Sequence, residues 1–249
     1  MTTPALETRN LIKRFGPFVA SNDVSLSIRP GARHALIGPN GAGKTTLINL
    51  LTGALTANSG QILLGGEDIT HLPAHARVGR GLSRTFQINQ LFGDFTPLDS
   101  MMLAIGEREG HGWRVWRALA ADRGIADEAA QLLERFRLAD AMGTPTTLLP
   151  YGKQRLLEIA LAIATRPKVL LLDEPAAGVP EEERHEVLSI VRELPPDVTV
   201  VLIEHDMDLV FSFADRISVL AAGSLFAEGT VDEISKDRQV KAIYLGEDA

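Results

Sequence analysis

The sequence predicts an α/β fold with a mainly parallel core sheet, an antiparallel β region and an inserted helical lobe. Strand-length apolar runs alternate with helical segments near both ends of the chain, which is typical of a parallel sheet. The alternation stops over residues 88–165, which are mostly compatible with helix. We therefore predict a single domain over residues 1–249, with an α/β core and β region at 1–87 and 166–249.

The N-terminal elements are predicted to be strands joined by tight turns. Leu6–Phe15 and Phe18–Ile28 each mix apolar and polar residues, and the Phe-Gly-Pro turn between them favours a hairpin. The pattern then predicts a buried strand, a helix and two further strands, at residues 32–37, 45–51, 61–64 and 82–87.

The lobe is predicted to be helical, and strands alternate with helices again in the C-terminal part of the chain. Residues 125–138 have apolar side chains at helical spacing, and a second lobe helix is predicted at 156–165. Strands follow at 169–172, 198–203, 217–220 and 224–228, and helices at 181–194, 206–213 and 237–245.

Composition excludes several classes of protein. The net charge of −7 argues against a general nucleic-acid binder, which would be basic. The chain has no cysteine, so disulfides, cysteine metal sites and thiol catalysis are excluded. Its apolar runs are of strand length, well short of the roughly 18 residues of a membrane helix, and residues 1–10 lack a charged-then-apolar leader. We expect a soluble, cytosolic protein.

A glycine-rich run at residues 38–45, G-P-N-G-A-G-K-T, matches the phosphate-loop pattern at every fixed position. Backbone N–H groups of such a turn converge on phosphate oxygens, and the helix N-terminus adds partial positive charge. Lys44 is expected to reach the β- and γ-phosphates, and Thr45 to hold Mg²⁺. The predicted nucleotide-binding residues are Gly38, Pro39, Asn40, Gly41, Ala42, Gly43, Lys44, Thr45 and Thr46.

Two further motifs carry candidate chemistry. The run V-L-L-L-D-E-P at 169–175 places Asp173 and Glu174 at the C-terminal end of an apolar strand, where open α/β sheets bind ligands. Asp173 is predicted to organise Mg²⁺, and Glu174 to polarise the attacking water. The run L-P-Y-G-K-Q-R at 149–155 leads into a helix whose N-terminus can bind an anion.

In their order along the chain, these motifs resemble an ABC transporter ATPase subunit. The phosphate loop is followed by R-T-F-Q at 84–87, then by the two runs above, and finally by I-E-H-D at 203–206. The resemblance spans essentially the whole chain. Finer details resemble the LivG-like subunits of branched-chain amino-acid importers: G-L-S-R-T-F-Q at 81–87, Tyr151, L-E-I-A-L-A at 157–162, D-E-P-A-A-G at 173–178 and Y-L-G at 244–246.

The resemblance implies a role for each matching residue. Phe15 would stack on adenine, the alternative being a core phenylalanine after the first strand. Gln87 would contact Mg²⁺ or the water and sense the membrane partner, and His205 would contact the γ-phosphate. The implied catalytic residues are Glu174, His205, Lys44 and Gln87, and the implied metal ligands are Thr45, Gln87 and Asp173. The residues implied to contact the nucleotide of a second subunit are Leu149, Tyr151, Gly152 and Lys153.

Two positions depart from the family pattern. Pro150 stands where a serine hydroxyl usually reaches the γ-phosphate, and proline has neither a hydroxyl nor an N–H. The phosphate contact is then expected to fall on Gly152 and the following amides, with Lys153 as a source of charge. Pro180 stands where the branch often has asparagine, and the resemblance implies that this loop joins the two ATP sites, so the change is expected to bear on their coupling.

The implied function is that of the ATP-hydrolysing motor subunit of an importer, using ATP and Mg²⁺. Two ATPase subunits would close head to tail on membrane-spanning permease subunits, at the cytoplasmic side of the membrane, and a solute-binding protein would act indirectly. We expect no nucleic-acid partner. The alternatives are an ABC ATPase of a lipid or lipopolysaccharide exporter, a non-transport ABC protein acting on ribosomes or DNA, and a P-loop small-molecule kinase.

Overall fold

Two compact units make up the chain, and the second interrupts the first twice along the sequence. The structure is a computed structural model that describes residues 2–85, 91–111 and 123–245. The first unit consists of Met1–Arg84, Lys168–Glu174 and Pro195–Ala249, and the second of Thr85–Pro167 and Pro175–Leu194. All strands formed by the described residues belong to the first unit, whereas the second unit is helical.

The elements are numbered in chain order. The strands are β1 (Leu6–Phe15), β2 (Phe18–Ile28), β3 (Arg33–Ile37), β4 (Ser59–Leu64), β5 (Glu67–Asp68), β6 (Leu82–Arg84), β7 (Val169–Asp173), β8 (Thr199–Ile203), β9 (Arg216–Ala221) and β10 (Ser224–Thr230). The helices are α1 (Lys44–Thr52), α2 (Ala74–Val78), α3 (Pro97–Arg108), α4 (Arg123–Arg135), α5 (Tyr151–Ala164), α6 (Glu181–Arg192), α7 (Met207–Phe213), α8 (Val231–Lys236) and α9 (Arg238–Leu245). Short 3₁₀ turns lie at Ala139–Ala141 and Thr146–Leu148.

The strands form two sheets, as the sequence predicts. The larger sheet has the order β10-β9-β3-β8-β7-β6, and its pairs are parallel except for the antiparallel hairpin of β9 and β10. The smaller sheet has the order β2-β1-β4-β5 and is antiparallel throughout. The mainly parallel core and the antiparallel β region are therefore confirmed.

The central strands of the larger sheet are buried along their whole length. Every residue of β7 and of β8 is buried, which is why both segments are almost continuously apolar. An apolar cluster joins Leu11 of the smaller sheet to Leu47 of α1 and Leu171 of β7. Full burial of a side chain of this kind contributes about 1.5–3 kcal/mol, so the cluster fixes α1 relative to both sheets.

A buried arginine holds the C-terminal end of α1. Arg77 donates from one guanidinium nitrogen to the carbonyls of Leu50 and Leu51, each at 2.6 Å, and from another to Thr70 O at 2.8 Å. The last carbonyls of a helix lack partners within the helix, and Arg77 supplies one. Burial lowers the pKa of this guanidinium. The helix that follows the glycine-rich loop is therefore anchored at its far end.

The helical unit is held by caps and ion pairs as well as by its apolar residues. Thr96 and Asp99 form a reciprocal capping box at the start of α3. Near the end of α3, Arg108 contacts Glu128 of α4 at 2.8 Å and donates to the carbonyl of Ala164 at the end of α5 at 2.8 Å. One side chain thus ties together three helices of this unit.

The helix α5, which follows the start of the L-P-Y-G-K-Q-R run, begins earlier than the sequence predicts. It starts at Tyr151 rather than at residue 156, with Pro150 as its N-cap residue. Pro150 has φ −52° and ψ 148°, and its carbonyl accepts the first helical hydrogen bond from Gln154 N at 3.0 Å. A proline ring fixes φ near this value, so it favours the entry to the helix.

The division into units also differs from the one predicted from the sequence. Pro175–Leu194, which includes α6, belongs to the helical unit, whereas the sequence assigned it to the α/β core. Arg155 Nε donates to Pro175 O at 3.1 Å, and Glu183 accepts a hydrogen bond from Gly152 N. These contacts between α5 and the segment that carries α6 are not visible as a sequence pattern.

Candidate nucleotide-binding site

The glycine-rich loop between β3 and α1 follows a backbone path that side chains would block. A Cβ on Gly38 (φ 155°) would collide with the carbonyl of Leu220, and a Cβ on Gly43 (φ 98°) would lie 2.5 Å from Ala20 O. Gly43 is the N-cap residue of α1 and offers no capping side chain. The first amides of α1 are therefore available to an anion.

Lys44, the first residue of α1, has its side chain folded over this loop. Its ammonium group donates to Gly38 O at 2.6 Å and to Pro39 O at 3.1 Å. Burial lowers the pKa of Lys44, while the carboxylates of Glu174 and Asp173 act in the opposite direction. The loop, the cation and both acids therefore belong to one electrostatic environment.

Asp173, the last residue of β7, is nearly buried and paired with an arginine. The Asp173 carboxylate oxygen Oδ2 accepts a hydrogen bond from Arg84 at 2.7 Å, and the Arg84 side chain is 11% exposed. The same guanidinium donates to Asn49 Oδ1 on α1 at 2.7 Å. Arg84 thus connects α1 to the end of β7.

Glu174 and His205 lie close together at the ends of adjacent parallel strands. Glu174 has a left-handed backbone (φ 46°), and its N–H donates to Ile203 O at 2.9 Å. His205 Nδ1 lies 3.8 Å from Glu174 Oε1 and 3.8 Å from Glu204 Oε2. The Glu204 side chain is 3% exposed, whereas His205 is 68% exposed. An exposed imidazole therefore faces two carboxylates beside the end of the sheet.

Phe15 lies at the end of β1 and is on the surface. The side chain is 47% exposed, and Lys13 Nζ lies 5.0 Å from the centre of its ring. This arrangement excludes the alternative that Phe15 is a core residue. Phe15 is therefore a surface residue with an ammonium group over its ring.

The start of α5, in the helical unit, carries two polar contacts. Gly152 N donates to Glu183 Oε2 of α6 at 2.7 Å. Lys153 Nζ contacts both carboxylate oxygens of Asp140, at 2.6 and 2.8 Å. The amide expected to bind phosphate and the charge expected to assist it both have partners within the unit.

Leu149 and Tyr151 surround this helix start. Leu149 is buried, and Tyr151 is 36% exposed. A Cβ on Gly178, which has φ 73°, would lie 3.2 Å from the Tyr151 hydroxyl. The tyrosine therefore packs against the loop that precedes α6.

Comparison with known proteins decides the family. A family model described as ABC transporter matches residues 21–177, which is more than half of the chain. The chain belongs to the ABC transporter family. A second model, described as branched-chain amino acid ATP-binding cassette transporter, matches residues 224–249. The resemblance inferred from the motifs is therefore confirmed, as is the assignment of the chain as an ABC-type ATP hydrolase.

Full-length relatives agree with this assignment. The chain is 39% identical to the high-affinity branched-chain amino acid transport ATP-binding protein BraF of Pseudomonas aeruginosa, and 38% identical to LivG of Escherichia coli. Each alignment covers 99% of this chain and 100% of the relative. The ADP conformation of MJ1267, an ATP-binding cassette of an ABC transporter, superposes with a TM-score of 0.85 at 32% identity over 99% of this chain and 100% of that one.

The structure brings together part of the predicted site of this ABC cassette. Lys44, Asp173, Glu174 and His205 all belong to the α/β unit. Asn40, Gly41 and Thr45 are exposed in the loop and the first turn of α1, Pro39 and Thr46 are half-buried, and Ala42 is buried. Gln87 lies outside the described residues, and the segment from Leu149 to Lys153 belongs to the helical unit.

Sequence reasoning missed several polar residues that hold the site. Arg84 and Glu204 lie within two of the motifs, as the first residue of R-T-F-Q and the acid of I-E-H-D, but the sequence analysis assigns neither a role. The signal for a role was position: each residue lies at the end of a strand next to the strand that ends at Asp173. Asn49 and Glu183 belong to none of the motifs. Their partners, Arg84 and Gly152, lie 35 and 31 residues away along the chain.

Proposed function

We propose that this chain is the ATP-hydrolysing subunit of an importer for branched-chain or closely related amino acids. The observation that carries the proposal is the match of the C-terminal residues 224–249 to the branched-chain amino acid cassette model. The relatives BraF and LivG, which are named as branched-chain amino acid transport proteins and align over their full lengths, support the same solute class. Nothing in the described site favours an exporter or a kinase over this reading.

ATP is held mainly by the loop from Gly38 to Thr46. The backbone amides and the start of α1 bind the phosphates, and Lys44 exchanges its carbonyl contacts within the loop for the β- and γ-phosphate oxygens. The exposed face of Phe15 stacks on the adenine ring.

Thr45 and Asp173 fit a magnesium ion that also binds the nucleotide. Thr45 and Asp173 would give the metal only one hydroxyl and one carboxylate ligand. The described residues form no cluster of three or more acidic or histidine side chains suited to a metal. This donor set fits Mg²⁺, which takes one or two protein oxygens and completes its shell with phosphate oxygens and water. When bound, Mg²⁺ neutralises charge on the β- and γ-phosphates. Gln87 is the third proposed ligand.

Glu174 and His205 act at the γ-phosphate. Glu174 accepts a hydrogen bond from the attacking water and so directs a lone pair of the water oxygen at phosphorus. The left-handed backbone at Glu174 sets the direction of the carboxylate. His205 donates to a γ-phosphate oxygen, and the neighbouring Glu204 holds its orientation. Catalysis then consists of positioning and charge stabilisation.

A second ATPase subunit, identical or related, completes each site. The N-terminus of α5, with Leu149, Tyr151, Gly152 and Lys153, faces the γ-phosphate bound by the partner. The amide of Gly152 replaces the usual serine contact, because Pro150 has no donor. Closure of the pair around ATP and its reopening after hydrolysis supply the movement that is transmitted to the membrane subunits.

The cassette works on membrane-spanning permease subunits at the cytoplasmic face of the membrane. No helix formed by the described residues is both long and apolar enough to cross a bilayer. In this proposal the cassette attaches to the membrane through the permease subunits, Gln87 senses them, and a solute-binding protein delivers the amino acid on the other side.

Co-expression with the permease and ATPase genes that adjoin its own tests this proposal. We expect a stable complex whose ATPase activity rises when a binding protein loaded with leucine, isoleucine or valine is added. A stable complex that responds only to lipid or to another solute would overturn the solute class. Failure of any membrane subunit to co-purify would overturn the transport function.

A further inference from the structure

The amide of Gly152, in the proposed phosphate-contacting turn of α5, has a carboxylate partner within its own subunit. Gly152 N donates to Glu183 Oε2 at 2.7 Å, a short distance for such a bond. Hydrogen bonds from an amide to a carboxylate are stronger than neutral ones. A negatively charged group of this chain therefore already uses this N–H.

The contact between Gly152 and Glu183 is tight on all sides. Gly152 is buried, and a Cβ added to it would collide with the Glu183 carboxylate and lie 3.0 Å from Glu183 Cβ. Glycine is the residue that admits this approach. An oxygen of another ligand cannot reach the same N–H while the Glu183 side chain keeps this position.

Glu183 is fixed in place by its own helix. It lies in the first turn of α6, where its N–H donates to Pro180 O at 3.0 Å. A carboxylate in the first turn of a helix is stabilised by the helix dipole. Its neighbours Glu181 and Glu182 are also acidic, and both are exposed. Glu183 is the acid of this turn that accepts the hydrogen bond from Gly152 N.

We propose that Glu183 is an internal competitor for the γ-phosphate: its carboxylate occupies the Gly152 amide in the open subunit and must leave before that amide can bind the partner's ATP. The inference rests on the proposed head-to-tail pairing. It makes closure of the ATP-bound pair a competition between two anions for one donor. Glu183 is thus a residue that raises the ATP concentration needed for closure.

A supporting role for Glu183 predicts the opposite effect on closure. If Glu183 only held α5 in the orientation that binds phosphate, its removal would weaken closure. Competition instead requires that removal strengthen closure. The sign of the effect therefore separates the two roles.

The test is ATP-dependent self-association of the full chain, measured by sedimentation in a Glu174→Gln background that slows hydrolysis. The loss of a charge-assisted hydrogen bond predicts that Glu183→Ala lowers the ATP concentration for half-maximal association about tenfold. Glu183→Gln, which keeps a neutral acceptor, should give a smaller decrease. Glu182→Ala removes an exposed acid from the same helical turn and should leave the value unchanged.

Each outcome bears on the proposal. Competition is supported if only the Glu183→Ala variant associates, or if this variant associates at a lower ATP concentration than the reference chain. Association of the reference chain with an equal or higher ATP requirement for Glu183→Ala overturns the competition and leaves the head-to-tail pairing intact. No association in any variant overturns the pairing of two copies of this chain, and the competition at that interface falls with it.

Amide hydrogen exchange gives a second, independent readout. Without nucleotide, the Gly152 amide should be protected in the reference chain and should exchange roughly tenfold faster in Glu183→Ala. Glu182→Ala should leave the exchange rate unchanged. Equal exchange rates in the reference chain and in Glu183→Ala would contradict the occupied donor.

Discussion

The guanidinium of Arg84 and the carboxylate of Asp173 form a nearly buried ion pair with an N–O distance of 2.7 Å. The same arginine reaches Asn49 on α1, so one side chain connects the helix after the phosphate loop to the strand that ends at Asp173. Removal of one partner of such a pair leaves the other charge buried without compensation.

Arg84→Ala should therefore destabilise the fold as well as the site. We expect the free energy of unfolding to fall by about 3 kcal/mol, as found when buried pairs are broken from one side. Urea denaturation measures the change. Arg14→Ala, at an exposed position, should stay within about 0.5 kcal/mol. Equal stability of the two variants would show that the pair contributes nothing.

Glu174→Gln should separate nucleotide binding from hydrolysis. The amide keeps the size of the side chain but is no longer a base, so ATP binding is retained while turnover falls by about 10²–10⁴-fold. Fluorescent-nucleotide titration and phosphate release measure the two properties. Glu182→Gln removes an exposed acid and serves as the control. Near-normal hydrolysis by Glu174→Gln would contradict the assigned role.

Pro150→Ser should be tolerated. Pro150 is the N-cap residue of α5 and provides no side-chain cap, whereas a serine can accept a hydrogen bond from an amide of the first turn, which stabilises a helix by about 1 kcal/mol. We expect unchanged or higher ATPase activity and a small gain in thermal stability. A large loss of activity would mean that the proline ring sets the shape of the turn.

The stability of the fold should depend on the protonation of His34. This buried histidine lies 2.8 Å from Ser218 Oγ, and Ser218 in turn contacts Glu228. Burial lowers the pKa of His34 from 6.5 to about 4; the Glu228 carboxylate raises it and the Arg216 guanidinium lowers it further. The folded chain therefore holds the neutral imidazole.

This depressed pKa predicts a loss of stability in mildly acidic solution. The unfolded chain binds the proton at its ordinary pKa, so the contribution is complete above about pH 6.5 and is lost as the pH falls towards 4. From pH 7 to pH 5 the free energy of unfolding should fall by about 2 kcal/mol more in the native chain than in His34→Gln.

Local patterns predicted much of this molecule. Apolar runs gave the buried strands β7 and β8, and the motif at residues 38–45 located the phosphate loop, because each depends on residues that are close in sequence. The helix α5 starts at Tyr151, five residues before the predicted start at residue 156, because the run at 149–155, with its proline and glycine, lacks the apolar spacing that marks a helix. With Pro150 as the N-cap residue, the residues from Tyr151 onward form the first turn of the helix.

Long-range polar contacts could not be predicted in the same way. Arg84 and Asp173 are 89 residues apart in sequence, and Gly152 and Glu183 are 31 apart. Whether either pair meets depends on how strands and helices pack, and a single sequence gives no record of that packing. For the same reason the sequence pattern groups the segment that carries α6 with the α/β core, whereas the contacts group it with the helical unit.

The most direct test of the central claim is amino-acid uptake by the reconstituted transporter. Proteoliposomes that contain this cassette, its permease subunits and its partner ATPase should accumulate labelled leucine only with ATP and a loaded binding protein. Uptake should be lost in Glu174→Gln and retained in Glu182→Gln. An assembled, ATP-hydrolysing complex that accumulates no branched-chain amino acid, or uptake that persists in Glu174→Gln, would contradict the account.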